Sequence, residues 1–192
     1  MGKQAIAFLQ PGWADWEAGG VLPLLREYFQ VSVRTATPDG KPQTSIGGLE
    51  ARADTSFGEV KASDADIFLA IGSDAWPGFH NEQFFGLLRD ALDAQKIVGV
   101  ICAATVAGAR AGLFDGRDHT SNDRDWLLAQ APGYAGADRY KDVGPAVVDG
   151  TLVSAAGRAP NTFAVAVARL VAPQADANLK EYEAMCQREW SA

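Results

Sequence analysis

The chain has 192 residues, 47% of them hydrophobic and 21% charged, enough for one globular domain that buries about 70% of its unfolded surface without a disulfide or metal. Seventeen Lys and Arg against 24 Asp and Glu leave a net charge of −7, which argues against nucleic acid and anionic membrane as partners. Two cysteines, an N-terminus without a long apolar core, and an apolar stretch from Ile97 to Ala109 too short to span a bilayer together point to the cytoplasm rather than to secretion or membrane insertion.

Short apolar runs alternate with helical patterns, the signature of an α/β domain with a mostly parallel sheet. Gln4–Leu9 reads as a first buried strand, broken by Pro11-Gly12. Trp13 to Tyr28 reads as the first helix, and Val31–Ala36 as the second strand. Thr44–Ala53 reads as a small hairpin turning at Gly47-Gly48. Asp66–Ile71 is a third strand and Phe84–Gln95 a helix, and Ile97–Ile101 is a strand running into a small-residue helix, Ala103–Leu113. Asp118–Ser121 reads as a short strand before a helix near Asp123–Gln130. Tyr140–Val148 and Thr151–Ala155 flank the turn at Asp149-Gly150. Pro160 opens the apolar helix Asn161–Val171, and Asp176–Trp190 is a last amphipathic helix. No repeat, low-complexity segment or linker divides the chain, so residues 1–192 read as one domain.

Open α/β sheets bind ligands at the carboxyl ends of their strands. Here the exits read Gly12-Trp13-Ala14-Asp15-Trp16-Glu17, Gly72-Ser73-Asp74-Ala75-Trp76, Ile101-Cys102-Ala103-Ala104 and Gly157-Arg158-Ala159-Pro160. A nucleophile elbow needs small neighbours around a strained central residue, and Ala103 and Ala104 meet that demand around Cys102. A cysteine at a helix N-terminus is expected to gain thiolate character: at a pKa of ~8.5 about 3% is ionised at pH 7, at ~5.5 about 97%. The same residue also reads as an ordinary packed thiol. Glu17 lies in an otherwise apolar stretch, so once buried it keeps its proton and can exchange it with the thiol; Asp15 is the competing carboxylate, with a simpler fit as helix N-terminal material.

Gly72 and Ser73 offer closely spaced amides for an oxyanion, with Ala103 beside the sulfur. His119 is a candidate base near a later strand exit, and His80 sits in a polar loop. Trp13, Trp16 and Trp76, with Phe79 and Phe114, are candidate pocket walls or core, and Arg158 and Pro160 complete the rim, where Arg158 offers an anion contact. Cys and His spacing gives no metal site, and the Gly-rich turns match neither phosphate fingerprint, so no cofactor is expected. Cys186 reads as packing beside Tyr182 and Met185.

The order Gly12 to Glu17, Gly72-Ser73, Ile101-Cys102-Ala103-Ala104 with Ala111-Gly112-Leu113, and Ser154 to Pro160 resembles the ThiJ/PfpI superfamily across nearly the whole chain. Ala14 to Glu17, Gly72 to Trp76 and His119 to Asn122 are similar to a bacterial subgroup labelled intracellular protease or amidotransferase-like. The resemblance implies a class I glutamine-amidotransferase-like fold, a flavodoxin-like three-layer sandwich with a mostly parallel central sheet. It also implies Cys102 as elbow nucleophile, Glu17 as its protonated partner, and an oxyanion site near Gly72 and Ser73. Dimerisation, stress roles and glyoxalase, deglycase, peptidase, isonitrile-hydrating or redox-sensing activities come with that family. The chain departs from its peptidase branch, which has a histidine where Ala103 stands. It also has Ser121 where glyoxalase-type members carry a histidine, with His119 two positions away.

Three functions compete. One is a cysteine-dependent, stress-related enzyme of glyoxalase, hydrolase or amidotransferase type acting on a small carbonyl or amide. Another is a redox sensor in which Cys102 is oxidised without turnover. The third is a non-catalytic stress dimer. Small-molecule substrate and homodimer are the expected partners.

Overall fold

The computed structural model describes residues 2–188. Its centre is a seven-stranded sheet in the order β5-β2-β1-β6-β7-β9-β8. The strands are β1 (Gln4–Phe8), β2 (Ser32–Thr37), β5 (Thr55–Ser56), β6 (Ile67–Ala70), β7 (Ile97–Ile101), β8 (Val147–Asp149) and β9 (Leu152–Ala155). All neighbours pair in parallel except β8 and β9, which form an antiparallel hairpin at one edge. A separate two-stranded hairpin, β3 (Gln43–Thr44) and β4 (Glu50–Ala51), carries the Gly47-Gly48 turn.

Alternation along the strands sends side chains into two cores. Phe8, Phe68, Val98 and Val100 pack on one face against α2 (Glu82–Asp93) and α3 (Thr105–Arg110). Leu9, Leu69, Ile101 and Val153 pack on the other against α1 (Asp15–Pro23) and α5 (Pro160–Val171). The result is the expected three-layer α/β sandwich. Local signals set the helix starts. The Asn81 side chain accepts the Phe84 N–H, Asp123 does the same for Trp126 ahead of α4 (Arg124–Gln130), and Pro160 takes the first position of α5. No helix among the described residues is long and apolar enough to cross a membrane.

Several boundaries differ from the sequence reading. Pro23 lies inside the first helix and cannot donate its amide, and the chain widens into a π-helical turn at Leu24–Tyr28. The helix expected from Ala103 begins as a 3₁₀ turn over Cys102–Ala104. Asp118–Ser121 makes only a single bridge, His119 to Tyr140, and Tyr140–Val148 is extended strand only at its end. The edge strand β5 has no signal in the sequence, because two residues of Thr and Ser carry no apolar run. The last helix, α6, spans Asp176–Gln187; its expected end at Trp190 lies outside the described residues. Met185 on that helix is 60% exposed, so it does not pack as expected.

Trp76 is a correction of another kind. It is fully buried, stacks on Phe57, meets Phe79 edge-on and donates its indole N–H to the Ile71 carbonyl at 2.7 Å. A large aromatic ring stabilises most when wholly removed from water with its N–H satisfied, so Trp76 belongs to the core and not to a pocket wall.

Candidate active site

The parallel register brings the exits of β1, β6, β7 and β9 side by side. At the third of these, Cys102 has φ of 59°, in the left-handed region where a side chain is strained by about 1–3 kcal/mol. The fully buried β7 drives the chain straight to this point, and the buried Ala103 and Ala104 leave room for the sharp turn. Thr105 fixes its far side, donating Oγ1 to the Cys102 carbonyl at 2.6 Å and meeting Ser121 Oγ at 2.6 Å.

Glu17 reaches the same place from the first turn of α1. It is fully buried, and its Oε2 accepts the Gly72 N–H at 2.7 Å. Oε1 has no regular hydrogen-bond partner, and the carboxyl interacts with the Cys102 thiol. Two glycines enclose the pair. A Cβ at Gly157 would lie 2.7 Å from Cys102 Sγ and 2.9 Å from Glu17 Oε1; one at Gly72 would lie 2.7 Å from Cys102 Cβ. Any side chain at either position would displace the reacting groups.

Burial pushes the Glu17 carboxyl up to about 7 against the pull of the Gly72 amide. Burial also pushes the Cys102 thiol up to about 11, the Glu17 charge adds to that, and the Asn122 amide and Ala103 N–H oppose it. Of the two readings of Cys102, the packed thiol is favoured by this environment: the elbow amide favours thiolate, but loss of water around the sulfur opposes it. Neighbouring acids this close lose their protons in two steps that belong to the pair, and burial raises both.

Asn122 was missed by sequence reasoning. Its Nδ2 donates to Cys102 Sγ at 3.2 Å while its Oδ1 accepts the Gly157 N–H at 2.8 Å, so one amide spans sulfur and roof. The available signal was a polar run, Ser121-Asn122-Asp123, in which Ser121 is engaged by Thr105 and Asp123 caps α4.

The other expected residues divide. Trp16 stands at the rim, half exposed, with its indole N–H donated to the Gly157 carbonyl at 3.1 Å. Arg158 is exposed and donates Nη1 to the Asn122 carbonyl at 3.3 Å. Pro160 and Arg158 line a cleft of about 310 Å³ with Pro145 and Cys186, next to the site. Trp13 is buried with its indole N–H on the Gln43 carbonyl, so it anchors the β3–β4 hairpin and not the rim.

Asp15 accepts the Gly47 N–H at 2.7 Å, and hydrogen bonds to Ser45 and Gly47 hold its carboxyl below the usual range; it serves the hairpin as well. His119 is buried against Phe114, its ring bonded to Tyr134 and the Arg117 carbonyl, and burial lowers its pKa. It does not reach Cys102 as a base. The Gly72 N–H is taken by Glu17, so the expected pair of oxyanion amides reduces to Ser73, whose side chain is fixed by donation to the Pro11 carbonyl. Among the described residues, no group of three His, Cys, Asp or Glu gathers to hold a metal ion.

Residues 3–170 match the DJ-1/PfpI family. A protein of Bacillus subtilis named uncharacterized protease YoaZ is 34% identical over 161 residues, covering 80% of this chain and 76% of its own. Among solved structures, the DJ-1 superfamily protein Atu0886 of Agrobacterium tumefaciens superimposes with a TM-score of 0.85 at 33% identity, covering 95% of this chain and 98% of that one. A thiJ/pfpI family protein of Bacillus anthracis gives 0.79 at 30% identity, covering 89% and 84%.

Proposed function

The chain belongs to the DJ-1/PfpI family, and on that premise we propose that it is a cysteine-dependent enzyme acting on a small carbonyl or amide substrate. The observation that carries this reading is Cys102 itself, held at φ 59° with its sulfur between Glu17 and Asn122. Backbone strain of that kind persists only where the surroundings enforce it, and it collects at reacting groups.

Because the resting sulfur is a thiol, attack needs a proton acceptor. Glu17, held at about 7, is matched to that task near neutral pH. As Sγ bonds to the carbonyl carbon, the thiol proton passes to the Glu17 carboxylate and the carbonyl electron pair moves to oxygen. The Ser73 N–H is the donor proposed to receive that oxygen, and Asn122 steadies the sulfur before attack. Glu17 then returns the proton, to the oxygen of a hemithioacetal or to the departing amine of an amide. The word protease in the relatives' names supports hydrolysis as one branch, but Ala103 beside the sulfur is no base, so the proton traffic rests on Glu17 alone.

Turnover of methylglyoxal and of a small ester and amide panel by the wild type and Cys102→Ala tests the reading. Loss of turnover in the variant is expected; equal rates would contradict it. The homodimer remains part of the proposal, supported by Ile46 and Leu49, 58% and 62% exposed on the β3–β4 hairpin that Asp15 ties to α1. Sedimentation equilibrium reads it directly.

A further inference from the structure

Resting on the reading of Cys102 as a nucleophile for carbonyl compounds, we infer that Arg158 is an anion-recognition point at the rim of that site, and that the substrate class is a short oxo acid: a carbonyl compound bearing a carboxylate. Arg158 follows Gly157, the residue that roofs the sulfur, and its guanidinium donates to the backbone carbonyl of Asn122, whose side chain holds the sulfur. Arg158 is thus joined by the chain to Gly157 and by a hydrogen bond to Asn122, the two residues that border Sγ, and it faces the adjoining cleft of Pro145, Pro160 and Cys186.

The guanidinium is also available. It has five N–H donors; among the described residues its one hydrogen bond is to a neutral carbonyl and no carboxylate lies within ion-pair distance. The chain's excess of acid does not supply a partner. Glu183 lines the same cleft as Arg158, but Arg169 holds it at 2.9 Å. Arg110 shows the alternative use of an arginine in this fold: its guanidinium is spent on four backbone carbonyls. Arg158 therefore keeps the fork geometry that pairs with a carboxylate.

A carboxylate has a reason to need such a partner here. Cys102 and Glu17 share a buried negative charge once their first proton is gone, and a substrate anion brought to them unaided would be repelled. A cation at the rim offsets that repulsion and fixes which end of the substrate faces outward. The half-exposed Trp16 indole, tied to the Gly157 carbonyl, bounds the same opening. The enclosed dimensions favour a small molecule: Gly72 and Gly157 leave no space for a side chain next to the pair.

The test uses two thiol reagents of like size, anionic iodoacetate and neutral iodoacetamide, with modification of Cys102 and Cys186 mapped separately by mass spectrometry. The ratio of the two rates at one thiol cancels any change in that thiol's own reactivity. Arg158→Gln should lower the iodoacetate-to-iodoacetamide ratio at Cys102 about fivefold, the scale of one exposed charge contact, and Arg158→Lys should restore part of it. An unchanged ratio, or a change confined to Cys186 in the neighbouring cleft, overturns the inference. If Cys102 reacts with neither reagent, the nucleophile reading has failed, and a second measurement decides Arg158 by itself. In that titration propionate and propionamide are followed at the Gly157 amide resonance. Shifts by propionate alone that disappear in Arg158→Gln support anion recognition, and their absence refutes it.

Discussion

The Gly72 N–H and the Glu17 carboxyl meet at 2.7 Å, joining the exit of β6 to the first turn of α1 beneath the Cys102 sulfur. The hydrogen bond favours a carboxylate and burial favours a carboxylic acid; burial wins, placing the group at about 7 rather than its ordinary 4.5. The folded chain thus holds this proton more tightly than the unfolded chain does. Stability from Glu17 is full below 4.5 and declines as pH rises until about 7, by roughly 3 kcal/mol. Glu17→Gln retains an acceptor for Gly72 without the charge. Urea unfolding across this interval should show that decline in the wild type and a flatter profile in the variant, and parallel profiles would refute the buried-acid assignment.

Gly157→Ala places a methyl 2.7 Å from the sulfur and 2.9 Å from Glu17. We expect a loss of about 1–3 kcal/mol from overpacking together with slowed Cys102 alkylation. Gly19 in α1 has open space around its Cβ position, and there Gly19→Ala should be neutral or stabilising by up to ~1 kcal/mol. Thermal melts of the two variants check the contrast.

Asn122 serves two neighbours, and two substitutions separate them. Asn122→Ala leaves the Gly157 N–H without its partner and should cost about 1–2 kcal/mol. Asn122→Asp keeps an acceptor for Gly157 but faces the sulfur with negative charge, so it should disfavour thiolate further and slow alkylation at pH 8. Chemical denaturation and iodoacetamide kinetics read the two effects independently; identical behaviour of the variants would count against the bridging role.

The parts of the site visible in the sequence are those carried by local contrast. Ile97–Ile101 is apolar throughout and ends at a cysteine followed by two alanines, so strand and elbow are both legible, with the strand limits matching the structure. Glu17 is legible because an acid interrupts an apolar helix face. Asn122 is not, since it is 20 residues from Cys102 and 35 from Gly157, and only the sheet order brings the three together. Trp76 illustrates the opposite error: a strand-exit motif gives the position of a side chain along the chain but not its direction, and this one turns inward onto Phe57. His119 fails for the same reason, stacked on Phe114 at 4.2 Å. Sequence leaves thiolate and packed thiol open at Cys102 because the elbow's amide is local, whereas the desolvation that opposes it comes from the assembled exits.

Whether Cys102 and Glu17 behave as one proton-sharing pair is read from the rate of Cys102 alkylation by iodoacetamide against pH, in the wild type and in Glu17→Gln. In the wild type the midpoint of thiol ionisation should lie well above the ordinary thiol value, toward 11, and Glu17→Gln should move it downward by removing the neighbouring charge. A single transition at an ordinary thiol value, the same in both proteins, would contradict the pairing.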